Sequence, residues 1–189
     1  MSDKLSEFLR RRSEEAAREP DPMERSRRLK LLFEDIYAEL EKSAQPQALV
    51  SACLLGVPCR YDGKSKPDLS LCGRFNAGEL IPVCPEVQGG LPTPRTPSGV
   101  TESGQAVLDG CGRVINRQGE DVSFYFIKGA EIAYRTAERF KVCRAVLKQH
   151  SPSCGCGSTG GVQGTRLTAD GVACALLKSQ GLTVEAAGE

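Results

Sequence analysis

ALVSACLLGVPCRYDG, residues 48–63, carries the pattern on which the fold turns: an apolar run stops at a cysteine and breaks into a loop holding glycine and proline. The run ALVSA (48–52) has the length and continuous apolarity of a strand covered on both faces. The pattern returns at ELIPV (79–83), which runs into Cys84, and at CRAVLK (143–148), which is followed closely by HSPSCGCG. LTVEA (182–186) reads as a further strand near the end of the chain. Between these lie helical patterns. In 122–140, Phe126, Ala130, Ala133, Ala137 and Phe140 form one stripe, with Asp121 or Ser123 placed to cap it. In 171–180, Asp170 stands at the start and Gly181 at the end. Strands alternating with crossover helices predict an α/β fold, a mostly parallel, open, Rossmann-like sheet with flanking helices. GRVINRQGEDV (112–122) reads instead as a small hairpin around Gln118-Gly119.

Residues 1–45 have a different character. They hold no Cys and no Gly, and they are crowded with Arg and Glu. Leu29, Leu32, Phe33, Ile36 and Leu40 share one helix face, and EPDP (19–22) separates this helix from a shorter one carrying Leu5, Phe8 and Leu9. We therefore expect a helical extension over 1–45, docked on the body or on a partner, and an α/β domain over 46–189. The basic cluster RSRRLK (25–30) is nearly cancelled by neighbouring acids and reads as a solvated helix face. A net charge of +1 argues neither for nor against nucleic acid. No apolar stretch has the length to span a membrane. The first residues lack the apolar core of a secretory signal, so a cytoplasmic, thiol-reducing setting is expected.

In that setting nine cysteines, an odd number, make a poor disulfide framework. Cys53, Cys84 and Cys154 each stand at or after the carboxyl end of a predicted strand, where open α/β sheets bind ligands. Cysteines far apart in sequence would then meet in one crevice, and the nearby glycines would let backbone approach a large inorganic group. Spacing alone leaves open buried thiols, zinc, a redox pair and an iron–sulfur cluster. No Cys-x-x-Cys occurs, so paired zinc knuckles and a thioredoxin-like motif both lack their usual form. Cys72, Cys111, Cys143 and Cys174 read as packing residues, and Cys156 as a thiol close enough to Cys154 to replace it or to form a disulfide after damage.

SACLLGVPCRYDG (51–63), GELIPVCPEVQGGLPTPR (78–95), GEDVSFYFIKGAE (119–131) and SPSCG (151–155) follow one another in the order found in the bacterial thiouracil desulfidases. The chain resembles that family over residues 47–186, and residues 1–45 lie outside the resemblance. The resemblance implies an oxygen-sensitive [4Fe–4S] cluster on three cysteines, which by motif are Cys53, Cys84 and Cys154. It also implies that oxygen from water replaces the sulfur of a thiolated pyrimidine such as 2-thiouracil, releasing sulfide without net oxidation or reduction. Thiolated uridine in tRNA is the alternative substrate. Relatives that act on RNA carry a further domain, where this chain has only a helical extension.

Exchanging C=S for C=O requires a base for water and an acid for the ring or the departing sulfur. Glu86, two residues after Cys84, is the first candidate, since burial beside a cluster raises a carboxylate's pKa. Ser151 and Ser153 flank Pro152 and stand ready to hydrogen-bond base or water, or to shape a turn. Asp62 is a further candidate acid or base, although Asp-Gly commonly makes a turn. Cys59 shares the motif of Cys53 and is expected to line the pocket. His150, the only histidine, is assigned no role. Arg95, in the Pro- and Gly-rich stretch 88–99, is placed to meet a phosphate or a base carbonyl.

Overall fold

The computed structural model describes residues 2–43 and 45–188. Helices α1 (Ser2–Ala17) and α2 (Pro22–Ser43) come first. Pro22 opens α2 where its missing N–H costs nothing, and Asp21 accepts the Glu24 amide at 2.7 Å. The expected stripe Leu29, Leu32, Phe33, Ile36 and Leu40 is fully buried, together with Tyr37, in the same core as the central sheet. Arg27 and Arg28 of the basic cluster pair on the surface with Glu24 and Glu19.

The body then runs through β1 (Ala48–Ser51), α3 (Leu69–Asn76), β2 (Leu80–Val83), α4 (Pro85–Gly89), β3 (Ser98–Val100), α5 (Gly104–Leu108) and β4 (Val114–Asn116). It continues through α6 (Ser123–Phe140), β5 (Arg144–Lys148), β6 (Thr159–Gly160), β7 (Arg166–Leu167), α7 (Val172–Ser179) and β8 (Thr183–Ala187). Four strands, in the order β2-β1-β5-β8, form a wholly parallel sheet, with Leu49 of β1 opposite both Ile81 and Ala145. This is the open α/β sheet expected, and β1 and β2 are buried along their whole length. A second, smaller core around Val100, Val107, Val114, Phe126 and Val172 lies under α5, α6 and α7.

Local details depart from the sequence reading. Residues 112–122 do turn tightly, with one bridge between Ile115 and Asp121, but β4 takes β3 as its partner strand. Asp170 does not cap α7; its carboxylate accepts the Gly157 amide at 2.6 Å and the Lys178 ammonium at 2.9 Å. Gly181 does end that helix region, at φ +86°. Helix α4 was not among the expected helices, and it runs into the Pro- and Gly-rich stretch that begins at residue 88. It lies against α6 because Gly89 and Gly129 carry no side chain: a Cβ on Gly129 would collide with the Pro85 carbonyl, and one on Gly89 with that of Tyr125. Among the described residues no helix is long and apolar enough to cross a membrane.

Candidate active site

The sheet order reverses beside β1, and ligands of such sheets bind at the carboxyl ends next to that reversal. Cys53 lies in the 3-10 turn (Ala52–Leu55) that follows β1, Cys84 directly follows β2, and Cys154 lies in the loop after β5. The three come from adjacent strands and line one cavity of about 860 Å³, with Cys59, Glu86, Arg95 and Ser151 on the same wall.

The thiols interact. Cys59, buried, has its thiol within hydrogen-bond reach of Cys53 and Cys84, and these contacts with burial raise its pKa well above the ordinary range. The Cys84 sulfur lies 3.7 Å from the Cys59 carbonyl, and its contact with the Cys59 thiol, with Arg95 nearby, moves its pKa down. Burial pushes the Cys154 thiol up, against a hydrogen bond from Ser51. Ser51 also accepts the Lys148 amide at 2.9 Å, so the end of β1 is tied to β5 beside the cysteines. The Lys148 ammonium feels the charge of Cys53 and Cys154 and is anchored by the carbonyls of Gln149 and Gly188. Burial lowers its pKa.

Arg95 does not face an open subsite. Its side chain is 5% exposed; Nε meets Glu86 Oε2 at 2.8 Å, and both terminal nitrogens donate to the Cys59 carbonyl at 3.1 Å. Burial alone would lower its pKa, but the Glu86 carboxylate together with Cys84 and Cys59 outweighs it. Glu86 sits in the first turn of α4, with Oε2 committed to Arg95 and Oε1 3.4 Å from the Ser151 hydroxyl. Ser151 in turn accepts the amides of Ser153 and Cys154, both at 3.1 Å, so it shapes the turn and touches the acid at once.

Two candidates lie elsewhere. The Ser153 hydroxyl is wholly buried, outside the cavity wall and without a hydrogen-bond partner among the described residues. The chain there turns into α7, whose Ala173 and Cys174 amides bond to the Ser153 carbonyl. Asp62 is also outside the wall. It accepts the Lys64 amide at 3.1 Å and faces the Arg60 guanidinium at 3.3 Å, the work of a turn residue. His150 lines the cavity, its Nδ1 3.1 Å from the Ser158 hydroxyl. Cys111 and Cys143 are surface thiols rather than packing residues. Sequence reasoning missed Ser51 and Lys148. Both lie in strands, where the period of the run says which side a residue faces but not which thiol stands across from it.

The three cavity thiols are not gathered tightly enough for one ion. Thiolates on one zinc ion stand within about 4 Å of each other. Among the described residues only Cys156, Asp170 and Cys174 bring their ligand atoms within 4.8 Å of one another. That group already holds a cation, the Lys178 ammonium, on both Asp170 oxygens. Cys53, Cys84 and Cys154 stand wider around a common cavity, with Lys148 and Arg95 close enough to offset thiolate charge.

Comparison with known proteins bears on the same residues. The family model for 2-thiouracil desulfurase matches residues 48–189. The uncharacterized protein YbbK of Bacillus subtilis (strain 168) is 35% identical over 139 residues, 72% of this chain and 92% of its own. A solved structure, that of the [4Fe-4S]-dependent thiouracil desulfidase TudS, superposes with a TM-score of 0.65 at 38% identity, covering 75% of this chain and 90% of TudS. From β1 onward, through all the residues that wall the cavity, the chain belongs to the 2-thiouracil desulfurase family of enzymes.

Proposed function

We propose that the chain replaces the thiocarbonyl sulfur of a thiolated pyrimidine with oxygen from water and releases sulfide, with Cys53, Cys84 and Cys154 holding a [4Fe–4S] cluster. The observation that carries this reading is the meeting of those three thiols, from three adjacent strand ends, on one cavity with the Glu86–Arg95 pair. With three protein ligands, such a cluster supplies an open iron that acts as a Lewis acid toward the substrate sulfur. The rest falls to the protein. Arg95 fixes Glu86 by one oxygen and leaves Oε1 to take a proton from water, while Ser151 steadies that oxygen and is placed to pass the proton on. Cys59, protonated and in contact with two ligand thiols, packs the inner wall.

The substrate we propose is a small molecule, and the wall favours one with an anionic substituent. A cavity of about 860 Å³ exceeds a free base, and its lining includes Arg117 and Arg166, which form no ion pair among the described residues. A thiolated pyrimidine nucleotide fits both size and charge better than 2-thiouracil. Thiolated tRNA is the alternative, and the cytoplasm the proposed compartment.

The test is anaerobic purification and reconstitution with iron and sulfide, followed by measurement of sulfide released from 2-thiouracil, 4-thiouracil, their nucleoside monophosphates and thiolated tRNA. We expect turnover of the small molecules, fastest for the monophosphates. Cys53→Ala, Cys84→Ala and Cys154→Ala should each lose the visible cluster absorption. Glu86→Gln should keep it while kcat falls about 10²–10⁴-fold. Bound zinc without acid-labile sulfide, or a colourless protein after reconstitution, overturns the reading.

A further inference from the structure

Residues before 48 lie outside the region that the family model matches, yet α2 reaches the candidate site at two points. The first is a chain of hydrogen bonds. The Tyr37 hydroxyl donates to the Pro82 carbonyl at 2.8 Å and accepts from Gln88 Nε2 at 3.1 Å, and Gln88 Oε1 accepts the Cys84 amide at 3.0 Å. Tyr37 is 1% exposed and Gln88 7%, so water does not compete for these bonds. The ring of Tyr37 is itself held, edge-on to Phe140 at 5.8 Å with the Arg139 guanidinium over its face. The second point is the loop after α4: Ser26 Oγ donates to the Leu91 carbonyl at 2.8 Å, and the Thr93 amide donates to the Pro22 carbonyl at 3.0 Å. Two residues on, Arg95 holds Glu86.

We propose that Tyr37 and Gln88 are positioning residues for Cys84, so that the N-terminal helix α2, although outside the family's common region, is a working support of the site. The assignment rests on the reading of Cys84 as a cluster ligand. It follows from geometry at two points of the segment that carries that cysteine. Tyr37 pins the residue two before it, at the edge strand of the sheet, and Gln88 pins its amide. Both bonds meet at one hydroxyl. Without that oxygen the Pro82 carbonyl and the Gln88 amide group are left buried without this partner, and the Gln88 carbonyl is free to turn off Cys84.

Tyr37→Phe removes the oxygen and keeps the ring. Phe33→Leu is the control, since Phe33 occupies the same helix and core but makes no bond to the site. In full-length, cluster-free, reduced protein, alkylation of each thiol by N-ethylmaleimide is followed by mass spectrometry. We expect Tyr37→Phe to speed alkylation of Cys84 about tenfold, the scale of one buried hydrogen bond, with Cys154 unchanged. Phe33→Leu should lower thermal stability and leave the ratio of Cys84 to Cys154 alkylation as in wild type. In reconstituted protein, Tyr37→Phe should also lose iron faster to a chelator. Equal alkylation ratios in Tyr37→Phe and Phe33→Leu, or acceleration spread evenly over all cavity thiols, overturns the proposal. Because the alkylation arm uses protein without a cluster, failure to reconstitute would count against the cofactor and not against the role of Tyr37.

Discussion

Arg95 joins two segments that are remote in sequence: the loop that carries Cys59 and helix α4, which follows Cys84. Its pair with Glu86 is buried, with side chains 5% and 14% exposed. Removing one partner of such a pair leaves the other charge without compensation. Arg95→Met should therefore lower unfolding stability by about 3–5 kcal/mol, far more than loss of a surface pair such as Arg10–Glu14. Urea denaturation checks this, and a loss below about 1 kcal/mol would show that solvent reaches the pair. Sequence alone put both residues near the chemistry, but it read Arg95 as a contact for a phosphate or a base carbonyl and Glu86 as the acid or base, with no pairing between them. Their pairing depends on α4 turning the chain back, and no local pattern encodes that. Ser151 and Ser153 make the same point. They flank one proline, yet one hydroxyl faces the cavity and the other is sealed beneath α7.

Among the elements, the close contact of α4 with α6 sets where Glu86 stands. Gly129 sits in the middle of α6, where glycine weakens a helix, and its place there is explained by the Pro85 carbonyl lying against it. Gly129→Ala should cost more than about 3 kcal/mol, because backbone rather than a flexible side chain must move. Gly119→Ala, at φ +85° in an open turn, should cost only about 1 kcal/mol. Thermal unfolding of the two variants compares them directly, and equal losses would remove the close approach as the reason for the glycine. The long helices and the four parallel strands were legible in advance, the helices from their 3.6-residue apolar stripe and the strands from short, continuously apolar runs that stop at Cys, Gly or Pro. Helix α4 was not. Five residues that open on proline and end on a glycine, with a second glycine following, have the composition of a loop, and packing on α6 holds them helical.

At the scale of the whole molecule, the helical hairpin and the sheet share one core. Leu29, Leu32, Phe33, Ile36 and Leu40 are essentially inaccessible to solvent, and burying five such side chains contributes on the order of 10 kcal/mol, comparable with the net stability of a domain. A chain starting at residue 46 should therefore be aggregated or partly unfolded, with strong binding of a hydrophobic dye. A monodisperse, cooperatively unfolding product would show instead that the body stands alone. The sequence marked residues 1–45 as distinct by composition, and the apolar face announced a docking surface. It did not show that the surface docked upon is the sheet that carries the cysteines.

The parallel order of the strands has a temporal side. Cys53 and Cys84 follow strands that are paired early along the chain, Ala48 with Leu80, whereas Cys154 follows a strand whose partner on β1 was made long before it. A ribosome-bound chain that ends before β5 owns two of the three thiols and cannot close the triad, whatever iron is present. On the proposed ligand set, insertion of a cluster would then wait until β5 and the loop after it have been made.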